Sequence, residues 1–324
     1  MRAIRIGTRT SALALEQARL VGEGIRACNP GLSYELVGYT TSGDRIQDRP
    51  LDEVGGKGLF VRELDRALAE GEVDIAAHSM KDLPAQLDPA VRIAALSPRE
   101  DPFDVLVLPR GPEGGRLGST PDPGDLRALA AWLCERSLAV GCSSARRRVQ
   151  LLRLEPSLPV RPVRGNVNTR LEKLDRGEYG ALVLAAAGLA RLGLADRVDR
   201  RFSAEEMVPS AGQGVLAVTA RADARLPWLD RYDDRSLERM CGRVERAFVQ
   251  ALDGDCTTPC GAYARVAGAA IELLGMYASP DGACVRTCRG RVVPDEGADA
   301  RAVEAGLARQ AASLARALLE GEGR

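Results

Sequence analysis

The chain has 324 residues, too many for one small core, and 45% of them are hydrophobic, which suits two or three globular domains. Its formal net charge is zero, which argues against a protein that coats nucleic acid or an anionic membrane. The most apolar run, ALVLAAAGLA at 181–190, is too short to span a bilayer.

The first twenty residues, MRAIRIGTRTSALALEQARL, do not read as a signal peptide, because Arg5, Arg9 and Glu16 interrupt their apolar positions. A cytosolic protein is therefore expected. Its eight cysteines are then free thiols, ligands or functional groups rather than a disulfide framework. AIRIGTR alternates as a strand and leads into a helix from about Ser11 to Ala27, with Ser11 as its N-cap. YELVGYTTSGD is a second strand ending in a polar turn. A Gly-rich polar loop follows, through GGKGLF at 55–60. VRELDRALAEGE reads as a helix and VDIAAHSM as a strand. EDPFDVLVLPR starts another strand after a Pro-bounded crossover. Residues 111–136, opening with GPEGGRLGSTPDPG, read as an exposed loop. LAVGCSSARRRVQLLRL and VRPVRGNVNTRLEKLDRG each read as strand, turn, helix. YGALVLAAAGLARLG is a buried strand entering a short helix, and MVPSAGQGVLAVTARAD returns to a strand. Strands and helices alternating at this spacing predict α/β units with mainly parallel sheets. After about 235 the texture changes to helix, short strands and a final helix, a separate and smaller α+β domain.

Several strand ends carry chemistry. HSMKDLP (78–84) places the only histidine, a lysine and an aspartate where ligands gather in open α/β sheets. The alternation points His78 inward, as a packed core residue. Asp82, beside Lys81, either faces a developing cation and trades protons with a substrate, or caps a helix and pairs at the surface. GCSSARRR (141–148), RGNVNTR (164–170) and IGTRTSA (6–12) each follow a strand and open a helix, offering hydroxyls, backbone N–H groups and arginine forks to an anion. AGLARLG adds Arg191. Together they suggest a cleft for a polyanion of carboxylates or phosphates. Only three of the 45 basic residues are lysine: Lys57, Lys81 and Lys173. Lys173 reads as exposed helix, whereas Lys57 sits in a loop able to close over an anion. GGKGLF is not a Walker A loop, and SAGQG (210–214) lacks the dinucleotide fingerprint; its glycines let the chain cross between domains.

LDGDCTTPCGAYARVAG (252–268) holds Cys256 and Cys260, four positions apart, and Cys284 and Cys288 repeat that spacing. Structural zinc is one reading. However, ACVRTC reads as a strand, across which positions i and i+4 span roughly 13 Å. Papain-type catalysis would need a histidine partner, and the single histidine is placed elsewhere.

The ordered set HSMKDLP, GGKGLF, GCSSARRR, RGNVNTR, AAAGLARLG, SAGQG and DCTTPCGAYA resembles the porphobilinogen deaminase (hydroxymethylbilane synthase) family over nearly the whole chain. The resemblance implies two periplasmic-binding-protein-like (type II) lobes and a third, α+β domain. The boundaries would be 1–98 with 211–233, then 99–210, then 234–324. A Gly/Pro-rich insertion at about 111–128 would lie away from the cleft. It implies a transferase that condenses four porphobilinogens head to tail with loss of ammonia. The reaction is primed by a dipyrromethane cofactor on a cysteine thioether, and Cys256 matches that cysteine. By the same resemblance Lys81, Asp82, Ser143, Ser144, Arg146 and Arg147 hold the cofactor. Arg9, Ser11, Arg164, Arg170 and Arg191 hold incoming or growing pyrroles. Asp82 is the catalytic carboxylate and Lys57 belongs to a lid. No metal, nucleic acid or membrane is implied, and a monomer is expected. The chain departs from the family pattern at Asp255, Cys142, Cys260 and the insertion. The alternative is a non-catalytic anion-binding protein of the periplasmic-binding-protein type, which leaves the third domain and its cysteine without a role.

Overall fold

The computed structural model describes residues 3–41, 61–115, 120–253, 258–279, 281–295 and 297–321. Lys57, Asp255 and Cys256 lie outside them, as does part of the 111–128 stretch. The chain opens with β1 (Ile4–Arg9), α1 (Ala12–Cys28), β2 (Tyr34–Tyr39), α2 (Arg62–Ala69), β3 (Ile75–Ser79) and β4 (Val91–Leu96). Ser11 caps α1, its side chain accepting the Ala14 N–H. The chain then crosses into β5 (Asp104–Val107), α3 (Leu126–Glu135), β6 (Val140–Gly141), α4 (Ala145–Leu154) and β7 (Val160–Arg161). α5 (Val167–Asp175), β8 (Ala181–Ala185), α6 (Ala186–Arg191) and β9 (Arg200–Arg201) complete that lobe. β10 (Leu216–Arg221) returns to the first.

The two sheets have the same plan. Their strand orders are β2-β1-β3-β10-β4 and β7-β6-β8-β5-β9. In each, the first three strands are mutually parallel and the fourth runs against its neighbours. That antiparallel strand is always the one that has just arrived from the other lobe. This is the two-lobe, parallel-rich α/β architecture expected of the type II periplasmic-binding arrangement, and two crossovers join the lobes.

One expectation needs correcting. Residues 126–135 are not loop but helix α3, which buries Leu126, Leu129, Ala130 and Leu133 in the second lobe. The spacing of those four is a helical face, and the Asp125 side chain accepts the Ala128 N–H as N-cap. The Gly/Pro-rich stretch ahead of it masked both signals.

The third unit comprises α7 (Leu237–Ala251), β11 (Cys260–Ala267), β12 (Ala270–Ala278), β13 (Val285–Val292) and α8 (Ala300–Glu320). Its strands form an antiparallel meander, packed on one face against the two helices around Phe248, Ile271 and Leu307. Cys260 and Cys288 are buried in this core on the two outer strands, opposite Tyr277 and Gly275, while Cys284 is exposed. Among the described residues no group of three or more His, Cys, Asp or Glu side chains could hold a metal, and no described helix is long and apolar enough to cross a membrane.

The crossovers run side by side in close contact. Gly214 has φ +88°, and a Cβ there would lie 2.2 Å from the Glu100 carbonyl oxygen, so only glycine fits. A buried carboxylate from the third unit, Glu245, clamps the crossing. It accepts from Arg99 Nη2 (2.5 Å) on the first crossover, Gly212 N–H (2.7 Å) on the second and Ala264 N–H (2.6 Å) on β11. Removing it strands a buried guanidinium and two amides. Glu245→Ala should destabilise the chain by about 3–5 kcal/mol, read as a lower urea midpoint; an unchanged midpoint would refute the clamp.

Candidate active site

β3 runs directly into a single 3₁₀ turn, Met80–Asp82, which sets Lys81 and Asp82 at the carboxyl edge of the first sheet. Asp82 is exposed and Lys81 half-buried. Lys81 Nζ donates to Gln213 Oε1 at 3.1 Å. Gln213 Nε2 donates in turn to Asp104 Oδ1 (2.9 Å) and to the Pro102 carbonyl (2.7 Å). Asp104, at the head of β5, is wholly inaccessible to solvent. It also accepts from Arg146 Nη1 (2.8 Å) and from Arg147 Nε (2.9 Å) and Nη2 (2.7 Å). Both arginines lie in the first turn of α4, whose N-cap Ser144 accepts the Arg147 N–H. HSMKD and GCSSARRR, far apart in sequence, thus meet through Asp104 and Gln213.

Sequence reasoning missed both linking residues. The partners of Gln213 lie more than a hundred residues away and those of Asp104 lie 42, 43 and 109 residues away, so no local spacing marks them. The resemblance assigns Arg146 and Arg147 to holding the cofactor. They are buried, and Asp104 already neutralises part of their charge. Arg146 Nη1 further donates to the Val208 carbonyl and Arg147 Nη1 to that of Val183.

The electrostatics follow from that packing. Burial alone would raise the Asp104 carboxyl, but Arg146 and Arg147 hold it well below the usual carboxylate range. Burial, with Arg147 nearby, pulls the Lys81 ammonium down to about 8. Burial and the charge of Arg147 also lower Arg170, which lies within electrostatic reach of Arg164 and Asp82. Arg170 Nε donates to the Gly165 carbonyl at 2.8 Å. Arg191 is set against the hinge instead, its Nη2 donating to the Gly214 carbonyl at 2.6 Å. Arg9 ends β1, next to β3, and its charge is felt at His78. Ser143 gives its hydroxyl proton to the Val163 carbonyl (2.6 Å) and accepts the Val163 N–H (2.9 Å), tying two strand ends together. Cys142 is buried beneath this turn, and burial pushes its thiol up, so it is a poor nucleophile there.

The donor set fits a polycarboxylate. Lys81, Arg146, Arg147 and Arg170 converge with Asp82 and Asp104 as their acidic counterweights, so cations outnumber carboxylates. Burial is the leading cause of the depression of both Lys81 and Arg170, and the Arg147 charge adds to it, a part that added anions would relieve. The third unit also reaches this place. Gly261, on β11, packs so closely that a Cβ would lie 2.6 Å from the Pro209 carbonyl and 3.1 Å from Arg146 Cδ. Cys256 is five residues earlier, and that length of chain reaches at most ~18 Å.

A family model described as "Porphobilinogen deaminase, dipyromethane cofactor binding domain" matches residues 4–226, and "Porphobilinogen deaminase, C-terminal domain" matches 240–311. The chain belongs to the porphobilinogen deaminase family. It is 45% identical over 279 residues to the porphobilinogen deaminase of Acetivibrio thermocellus, covering 86% of this chain and 89% of that one. It is 39% identical over 334 residues to that of Syntrophotalea carbinolica, covering 98% and 96%. The two porphobilinogen deaminase matches span both lobes and the third unit, so a bare anion-binding protein is not favoured.

His78 is the packed residue its alternation suggests. It is buried, and its Nε2 lies 3.0 Å from Thr219 Oγ1 on β10. Burial, then the nearby Arg9 charge, pull the imidazole down to about 4. As the chain has one histidine, its proton NMR signal is easily followed. It should stay at the neutral-form position from pH 8 to pH 5; a midpoint near 6.5 would contradict the packed assignment.

Proposed function

We propose that the chain is a transferase, a hydroxymethylbilane synthase, which joins four porphobilinogens head to tail and releases an ammonia at each addition. Its primer would be a dipyrromethane on Cys256. The observation that carries the reading is the cation excess around Asp104, with Gly261, five residues after Cys256 in the chain, packed against Arg146. When bound, the dipyrromethane supplies the pyrrole end onto which substrate is added.

The residues divide the work by position. Lys81, Arg146 and Arg147 would hold the cofactor's acids. Ser144 keeps its hydroxyl proton for the same purpose, because at the cap it only accepts. Ser143 serves by shaping the turn. Arg9, Ser11, Arg164, Arg170 and Arg191 would take the carboxylates of incoming and growing pyrroles. Asp82 is exposed at the edge of the cleft beside Lys81. An ionised carboxylate there stabilises positive charge on a substrate pyrrole nitrogen as ammonia departs. The Lys57 loop would close over the cleft. The working units are the lobes 1–98 with 211–233 and 99–210, plus the domain 234–324. We further propose that the enzyme acts as a monomer in the cytoplasm.

The intact mass of the denatured protein tests the tether. It should exceed the bare chain by two linked pyrrole units, and Cys256→Ser should abolish the excess. A bare-chain mass that porphobilinogen fails to increase would overturn the reading. Asp82→Asn should lower turnover by at least ~100-fold while the mass excess remains; near-normal turnover would remove Asp82 from the mechanism.

A further inference from the structure

Gln213 entered the sequence analysis only as part of a glycine-rich crossing, yet it is almost wholly buried, and both ends of its amide are engaged. Nε2 donates to the Pro102 carbonyl (2.7 Å) and Asp104 Oδ1 (2.9 Å), while Oε1 accepts from Lys81 Nζ (3.1 Å). These contacts fix the orientation of the amide. Turned over, it would set a donor against an ammonium and an acceptor against two oxygens. The groups it joins come from different parts of the chain. Lys81 stands at a strand end of the first lobe. Asp104 heads the strand entering the second and carries Arg146 and Arg147 on its oxygens. Gln213 belongs to the returning crossover. Its own carbonyl accepts from Arg99 Nε at 3.1 Å, and the next carbonyl, of Gly214, accepts from Arg191 and from the Glu100 N–H. The amide is therefore held from the backbone side as well.

We propose that Gln213 is a positioning residue: its amide fixes the Lys81 ammonium relative to the Arg146 and Arg147 guanidinium groups. The acid-binding cations beside the crossovers then keep one spacing. This rests on the enzymatic reading above.

The scarcity of lysine provides the test. With three lysines in the chain, selective ¹³C-lysine labelling gives few enough side-chain signals to follow Lys81, assigned by its loss in Lys81→Arg. The charged groups facing Lys81 are Arg147 and Arg146, which lower its titration, and Asp82 and Asp104, which raise it. Gln213→Leu removes the acceptor that favours the protonated amine, so the Lys81 midpoint should fall from about 8 by roughly one pH unit. Gln213→Glu substitutes a carboxylate of the same reach, so the midpoint should rise. An ammonium that holds an acid is lost as pH rises, so the alkaline limb of kcat/KM for porphobilinogen should move with the NMR midpoint in both variants. Because Lys81 is assigned to the tethered primer and not to free substrate, the Leu variant should also lower kcat by ~10-fold with a smaller change in KM. Should the Leu variant not fold, the Glu variant carries the test alone. If Gln213 only fills space, neither the Lys81 midpoint nor the limb will move in an active enzyme, and the proposal fails. Shifted midpoints in the variants, with a wild type that never consumes porphobilinogen, would uphold the link and overturn the enzymatic reading instead.

Discussion

Asp104 has no contact with solvent, and two guanidinium groups and an amide are aimed at its oxygens. A carboxylate so placed is costly to desolvate, and only a matched set of charged donors offsets that cost. The arrangement therefore tolerates little variation. Arg146 and Arg147 must leave the first turn of α4 in adjacent directions, β5 must begin where it does, and the returning crossover must deliver Gln213 to the remaining lone pair. The site cations are consequences of this packing. They are held by a buried anion beneath them, which leaves their positive charge only partly cancelled toward the cleft.

Glu245 applies the same principle one layer back. Asp104 organises the chemistry-bearing side chains, and Glu245 organises the backbone that carries them, by joining both crossovers to β11. The two systems share parts. Arg99 touches Glu245 and the Gln213 carbonyl, and Gly212, whose N–H reaches Glu245, is next to Gln213. The third unit thus does more than carry a cysteine, since its helix α7 supplies the acid that holds the hinge.

Much of this was legible in the sequence because local physics governs it. The parallel-rich lobes follow from apolar runs alternating with helical periods, Ser11 from capping chemistry, and the inward His78 from strand alternation. The glycines of SAGQG were read as a crossing, which the contact between Gly214 and Glu100 makes necessary. Helix α3 was lost because a Gly/Pro-rich approach outweighed the Leu126, Leu129, Ala130, Leu133 face. Asp104 and Gln213 were lost for a different reason. A buried polar residue looks like any other until its distant partners are known; for Asp104 two of them come from the start of α4, and the Gln213 contacts are set by the return of the chain to the first lobe. Ser143 was legible as a hydroxyl in a suggestive motif, but its bond to the Val163 carbonyl was not, because that partner ends another strand.

The strand exchange has a bearing on how the protein is made. β10 lies between β3 and β4 and pairs with both, so the first sheet has an open seam until the chain has been synthesised past Arg221. Every strand of the second sheet, by contrast, comes from the single continuous segment between Asp104 and Arg201. On the ribosome, where domains tend to fold as they emerge, the second lobe can close first. The amino-terminal segment must then wait with an unfilled slot, exposing backbone edges and the apolar flanks of β3 and β4. The part of the protein synthesised earliest is the part completed later, and it is the part a chaperone would most need to shield.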